Sequence, residues 1–132
     1  MRELMSRLVL FRSIYPHEQG ISTFLVRYLR TIGFKVETVP ISKSRKSLLA
    51  TRGKGLKSLL FYGYMDTVAI AHPSDWITDP FVLHVKGNNA YGLGAYDMIG
   101  GIVAFCEALS HVRGGYMKIL LAVDEENILQ GA

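Results

Sequence analysis

Apolar positions along the chain fall into runs of two different periods. Ile21, Phe24, Leu25, Tyr28, Leu29 and Ile32 recur at i, i+3, i+4, i+7, i+8 and i+11, with Pro16 upstream and Gly33 placed to stop the turn. That is the spacing of one helical face, and it predicts a helix there. An earlier helix is expected over residues 2–11, with Leu4, Leu8 and Phe11 on one side. Residues 34–39 then alternate and end at Pro40, as a strand does. Residues 47–51 form a second candidate strand. Residues 58–62 give a third, and its unbroken Leu59-Leu60-Phe61-Tyr62 predicts a central strand covered on both faces.

Residues 65–80 hold Pro73, Ser74, Asp75, Asp79 and Pro80 and read as a loop. Residues 81–86 and 90–91 flank Gly87-Asn88-Asn89, a hairpin signal. Residues 100–112 are apolar nearly all round and predict a buried helix, after which residues 117–123 read as a second central strand. The order is that of an α/β fold with a mixed, mainly parallel sheet, without internal repeat or linker. In such sheets the ligand crevice lies beyond the carboxyl ends of the strands. Asp66 and Glu125 follow the ends of the two most apolar strands, which makes both site candidates.

The chain has 132 residues, enough for one domain, and 49% of them are hydrophobic. That fraction implies strands buried on both faces or surface meant to be covered by more protein. No apolar run reaches the roughly 18 residues of a membrane span, and Glu3 and Arg12 interrupt any leader-like start, so a soluble protein without signal peptide is expected. Cys106 is the sole cysteine, which excludes an internal disulfide and makes a reducing cytoplasm the default. The net charge of +4 owes much to Lys43, Arg45, Lys46, Arg52, Lys54 and Lys57. These read as a solvated loop and edge strand; no interleaved aromatics accompany them, and a nucleic-acid partner is not favoured.

A hydrolytic metal needs about three protein ligands, a water whose pKa it lowers and a base for that water's proton. Consecutive side chains diverge beyond a strand end, so in the Glu125-Glu126 pair one carboxylate can bind metal while the other faces substrate. Taken by itself, such a pair also fits a solvated turn. The ten-residue stretch that begins Gly92-Leu93-Gly94-Ala95-Tyr96-Asp97 and ends Met98-Ile99-Gly100-Gly101 holds four glycines and puts Asp97 on the connection into the buried helix. It does not match a phosphate-binding loop; the plainer alternative is a tight turn with Asp97 as helix cap.

Taken together, Gly63-Tyr64-Met65-Asp66-Thr67-Val68, Asp75-Trp76 with Thr78-Asp79-Pro80-Phe81, Tyr91-Gly92 through Gly100-Gly101, Asp124-Glu125-Glu126 and Gly131-Ala132 resemble the zinc aminoacylase and carboxypeptidase family. The resemblance runs in order from about Leu8 to Ala132. It implies a three-layer sandwich with helices on both faces and hydrolysis of an amide bond in an N-acyl amino acid or small peptide. It also implies two zinc ions, and a homodimer formed through a separate lid domain. By the same resemblance Asp66 is the acid that orients a metal-bound histidine and Glu125 the general base. Asp97 bridges the two zinc ions, and Glu126 ligates one of them.

Three positions depart from the family pattern. Tyr64 stands where the family has a histidine ligand, Leu93 in place of an arginine and Ile99 in place of a lysine. A phenol has a pKa of about 10 and binds zinc well only as phenolate, whereas neutral imidazole is ready at pH 7. Zinc binding is therefore expected to be weak. His72, in the following loop, is a candidate substitute ligand; His17, His84 and His111 have no partner at ligand spacing. The family's lid domain, later acidic ligand and final histidine lie beyond the length of this chain. Of its ligand positions Asp97 and Glu126 are retained. The expectation is an inactive fragment, the N-terminal part of a catalytic domain cut before its last strands; the alternatives are a noncatalytic relative kept as a binding or scaffold module with a decayed metal site, or one half of a split enzyme.

Overall fold

The computed structural model describes residues 1–127. Helix α1 spans Arg2–Val9, α2 spans Gln19–Thr31 and α3 spans Ile99–His111. Strands are β1 (Lys35–Pro40), β2 (Lys46–Arg52), β3 (Leu59–Tyr64), β4 (His84–Lys86), β5 (Asn89–Tyr91) and β6 (Met117–Ala122). The loop expected over residues 65–80 is present, with a short 3-10 turn at Pro73–Asp75. The Gly131-Ala132 motif lies outside the described residues.

Helix α2 forms because its apolar stripe has a core to meet. Ile21, Leu25 and Leu29 are fully buried, each contributing roughly 1.5–3 kcal/mol of transfer free energy. Gly33, at φ +88°, ends it, with its N–H donating to Arg30 O and the Phe34 N–H to Leu29 O, the double bond of a Schellman stop. Helix α3 is apolar on most sides because Ile102, Val103, Cys106 and Leu109 are all buried. A Cβ at Gly53 would meet the Gly115 carbonyl oxygen at 2.1 Å, so glycine is required where these two turns touch.

Four strands form one sheet in the order β1-β2-β6-β3, and β4 pairs with β5 as the expected hairpin. The sheet is mixed: β1 with β2 and β2 with β6 are antiparallel, and β3 with β6 is parallel. Val36, Ala50, Ile119 and Phe61 share one row and face the core built with all three helices. The alternate rows, Glu37-Leu49-Leu120-Tyr62 and Lys35-Thr51-Lys118-Leu60, face away from it. Among the described residues a single helical layer covers the sheet.

The expectation of a central third strand is corrected. Strand β6 is interior as expected, but β3 has β6 as its one neighbour among the described residues. Leu59, Leu60 and Tyr62 are 56%, 52% and 44% exposed. An unbroken apolar run reports a strand that is built to be covered, and these residues do not supply the cover.

Candidate active site

Because β3 and β6 run parallel, their carboxyl ends finish side by side, and the chemistry-bearing residues follow directly. The Met65 N–H donates to Ala122 O at 3.0 Å, and Asp66 comes next. Asp66 is fully buried, and its carboxylate accepts the N–H of Glu125 on Oδ1 at 3.2 Å and the N–H of Glu126 on Oδ2 at 2.8 Å. A carboxylate with two backbone donors fixes the path of the chain after β6. It holds both glutamates over the end of the sheet.

Asp97 arrives from the glycine-rich connection. Gly94 has φ +71°, and a Cβ there would lie 2.7 Å from Thr67 Cγ2, so a tight turn against the β3 exit needs glycine. Asp97 does not cap α3: Met98 is the residue at the cap, without a side-chain cap bond. Instead the Asp97 carboxylate, exposed, accepts a short hydrogen bond from the Tyr64 hydroxyl. Met98 also reaches back, its Sδ accepting the Tyr64 N–H at 3.2 Å.

Tyr64, Asp66, Asp97, Glu125 and Glu126 are thus one cluster. Burial, the hydrogen bond to Asp97 and the charges of Glu126 and Asp97 all push the Tyr64 phenol well above its ordinary pKa. Burial, with the charges of Asp97 and Asp66, raises Glu126. Glu125 is half-buried and lies 3.4 Å from the Tyr62 hydroxyl, which donates to its Oε2. Burial and the charge of Glu125 raise Tyr62 in turn. Leu93 and Ile99 are both buried, 7% and 1% exposed, in keeping with their apolar character. His72 is exposed in the loop.

A support for this cluster was not legible in the sequence. Arg45 is 5% exposed, not solvated as its basic neighbours implied. Its Nε and Nη2 donate to the two carboxylate oxygens of Glu18 at 2.9 and 2.7 Å, and Nη2 lies 3.4 Å from Asp124 Oδ1. Its guanidinium also sits 4.5 Å over the Tyr15 ring. Glu18 and Asp124 are fully buried. Asp124 takes φ +73° immediately before Glu125, so the ion network anchors the turn that aims the glutamates. The clue available from sequence was weak, because 27 residues separate Arg45 from Glu18.

Zinc takes three or more protein ligands from imidazole, thiolate or carboxylate. Among the described residues no group of three or more His, Cys, Asp or Glu side chains could hold a metal ion. Where a third ligand would stand, a protonated phenol donates to one of the two candidate carboxylates. The residues present do not fit a zinc ion.

The fold is that of a metallopeptidase domain. Human carnosine dipeptidase 1 superposes with a TM-score of 0.82 at 21% identity, over 91% of this chain and 31% of that one. The metallo-carboxypeptidase Sso-CP2 of Sulfolobus solfataricus does so with a TM-score of 0.82 at 20% identity, over 91% of this chain and 30% of that one. Residues 60–132 match peptidase family M20/M25/M40, and the chain belongs to it. Succinyl-diaminopimelate desuccinylase of Wolbachia pipientis subsp. Culex pipiens (strain wPip) is 36% identical over 107 residues, 81% of this chain and 27% of that protein. Acetylornithine deacetylase of Photorhabdus laumondii is 35% identical over 129 residues, 91% of this chain and 32% of that protein. The chain spans about a third of the length of these relatives.

Proposed function

We propose that the chain carries the carboxylate part of an amide-hydrolase site for N-acyl amino acids or small peptides. With Tyr64 in place it neither retains zinc nor turns over substrate. The observation that carries this reading is the Tyr64 hydroxyl donating to Asp97, which closes the cluster with a proton where a ligand would stand. In this assignment Glu125 is the general base that takes a proton from water; its half-buried position just beyond β6 supports the role. Asp66 is a positioning residue, acting through the backbone N–H groups of Glu125 and Glu126. Asp97 and Glu126 are the two retained ligand positions. The names of the relatives support the substrate class, with a desuccinylase and a deacetylase both removing an acyl group from an amino acid.

Hydrolysis of N-succinyl and N-acetyl amino acids and of dipeptides, assayed with added zinc, tests this reading. No hydrolysis above buffer is expected from this chain alone. Turnover that disappears in Glu125→Gln would refute the inactive state while supporting the role of Glu125.

A further inference from the structure

We propose that Met98 is a positioning residue of the candidate site, a thioether that seats the Asp97 carboxylate beside position 64 by gripping the backbone there rather than the side chain. Its function rests on the reading of Asp97 as a retained ligand position; its geometry does not.

Helix α3 fixes Met98 from one side. The Met98 carbonyl accepts the Ile102 N–H at 3.1 Å in the first turn of the helix, and the Ile99 N–H donates to Gly94 O at 2.9 Å. From that anchored backbone the side chain crosses to β3, where it lies in a slot with glycine on both walls. A Cβ at Gly63, on β3, would sit 3.1 Å from Met98 Cε and 3.4 Å from Sδ. At Gly101, in the first turn of α3, a Cβ would sit 3.3 Å from Cε. A methyl group on either wall would press on the thioether, which the close packing of an interior tolerates poorly. An unbranched, flexible side chain is the type that threads such a gap.

The slot delivers an acceptor to the end of the strand. Sδ lies 3.2 Å from the Tyr64 nitrogen and accepts its N–H, while Asp97, the residue before, accepts the Tyr64 hydroxyl. Residues 97 and 98 thus hold Tyr64 at two points, side chain and main chain. The two holds depend on different things. The bond to Asp97 needs a hydroxyl; the bond to Sδ needs a backbone N–H, which every residue except proline carries. Met98 therefore keeps Asp97 beside position 64 whichever side chain stands there, and the same hold operates in Tyr64→His.

NMR on the whole chain labelled with 15N and 13C at tyrosine reads both holds, with the Tyr64 signals identified by their loss in Tyr64→Phe. Met98→Leu fills a similar volume without an acceptor, a swap that cores usually tolerate, and a circular-dichroism melt checks that it folds. It is expected to speed hydrogen exchange of the Tyr64 amide at least tenfold. It is also expected to move the Tyr64 ring Cζ signal, which senses the partner of the hydroxyl, at least halfway to its position in Asp97→Asn. Selenomethionine keeps an acceptor in the slot and is expected to leave both signals in place. In Tyr64→Phe, labelled at phenylalanine, the residue-64 amide is expected to stay protected, and this arm decides if Met98→Leu does not fold. A folded Met98→Leu with an unchanged Tyr64 amide would reduce Met98 to a space-filler and overturn the proposal. So would a Cζ signal that stays put while the amide is released, or free exchange of the residue-64 amide in Tyr64→Phe. None of these readings needs zinc or turnover, so their failure is told apart from a failure of Asp97 as a ligand.

Discussion

Replacing Arg45 by methionine should destabilise the chain more than any surface change. The side chain is 5% exposed and is held by Glu18 through two hydrogen bonds and by Asp124 at 3.4 Å. Methionine fills much of the volume but leaves the fully buried Glu18 carboxylate without its counter-charge and takes one ion pair from Asp124. Removing one partner from a buried ion pair costs about 3–5 kcal/mol, because the remaining charge stays desolvated. Domains of this kind have a total stability of about 5–15 kcal/mol, so the loss is a large fraction of it. At roughly 3–5 °C per kcal/mol for this chain length, Tm should fall by about 10–20 °C. Circular dichroism during heating reads the shift. The control is Glu18→Gln added to Arg45→Met, which removes one stranded charge and should recover part of the loss. A shift under about 3 °C for Arg45→Met, or no recovery in the double variant, would refute the claim that a buried charge network holds the Asp124 turn.

Asp66→Asn keeps the shape but replaces one carboxylate oxygen by an amide donor facing a backbone N–H. One charge-assisted bond is lost and a donor is left unsatisfied, so about 2–3 kcal/mol of destabilisation should appear as a lower midpoint in urea. An unchanged midpoint would detach Asp66 from the Glu125 and Glu126 backbone. Cys106 is buried in α3, and burial pushes its thiol up to about 12, so it stays protonated throughout the range in which the protein is handled. Mass spectrometry after iodoacetamide at pH 8 should show no alkylation of folded protein and full alkylation in denaturant.

The sequence carried the local structure well where one periodicity dominated. The stripe from Ile21 to Ile32 located α2, and Gly87-Asn88-Asn89 located the β4-β5 hairpin. Grouping of the acids was also legible, because two apolar strands ending in acids converge when those strands are parallel. Strand β3 misled because an apolar run records what a strand is built to be covered by, not what covers it. Arg45 misled for a related reason: its neighbours Lys43 and Lys46 are typical of a loop, and local composition carries no signal of a partner 27 residues away. The hydrogen bond from Tyr64 to Asp97 was out of reach for the same cause, although the residue itself marked the position as altered.

The central claim is that this chain keeps the carboxylates of its family's site while Tyr64 bars the metal. Calorimetric titration of zinc into the chain, beside Tyr64→His, tests it most directly. The account predicts no saturable binding at tens of micromolar zinc for the chain as it stands. It predicts a gain of at least tenfold in affinity for Tyr64→His, in which imidazole joins Asp97 and Glu126 as a third ligand. Stoichiometric zinc binding by the unaltered chain, abolished by Asp97→Asn, would contradict it.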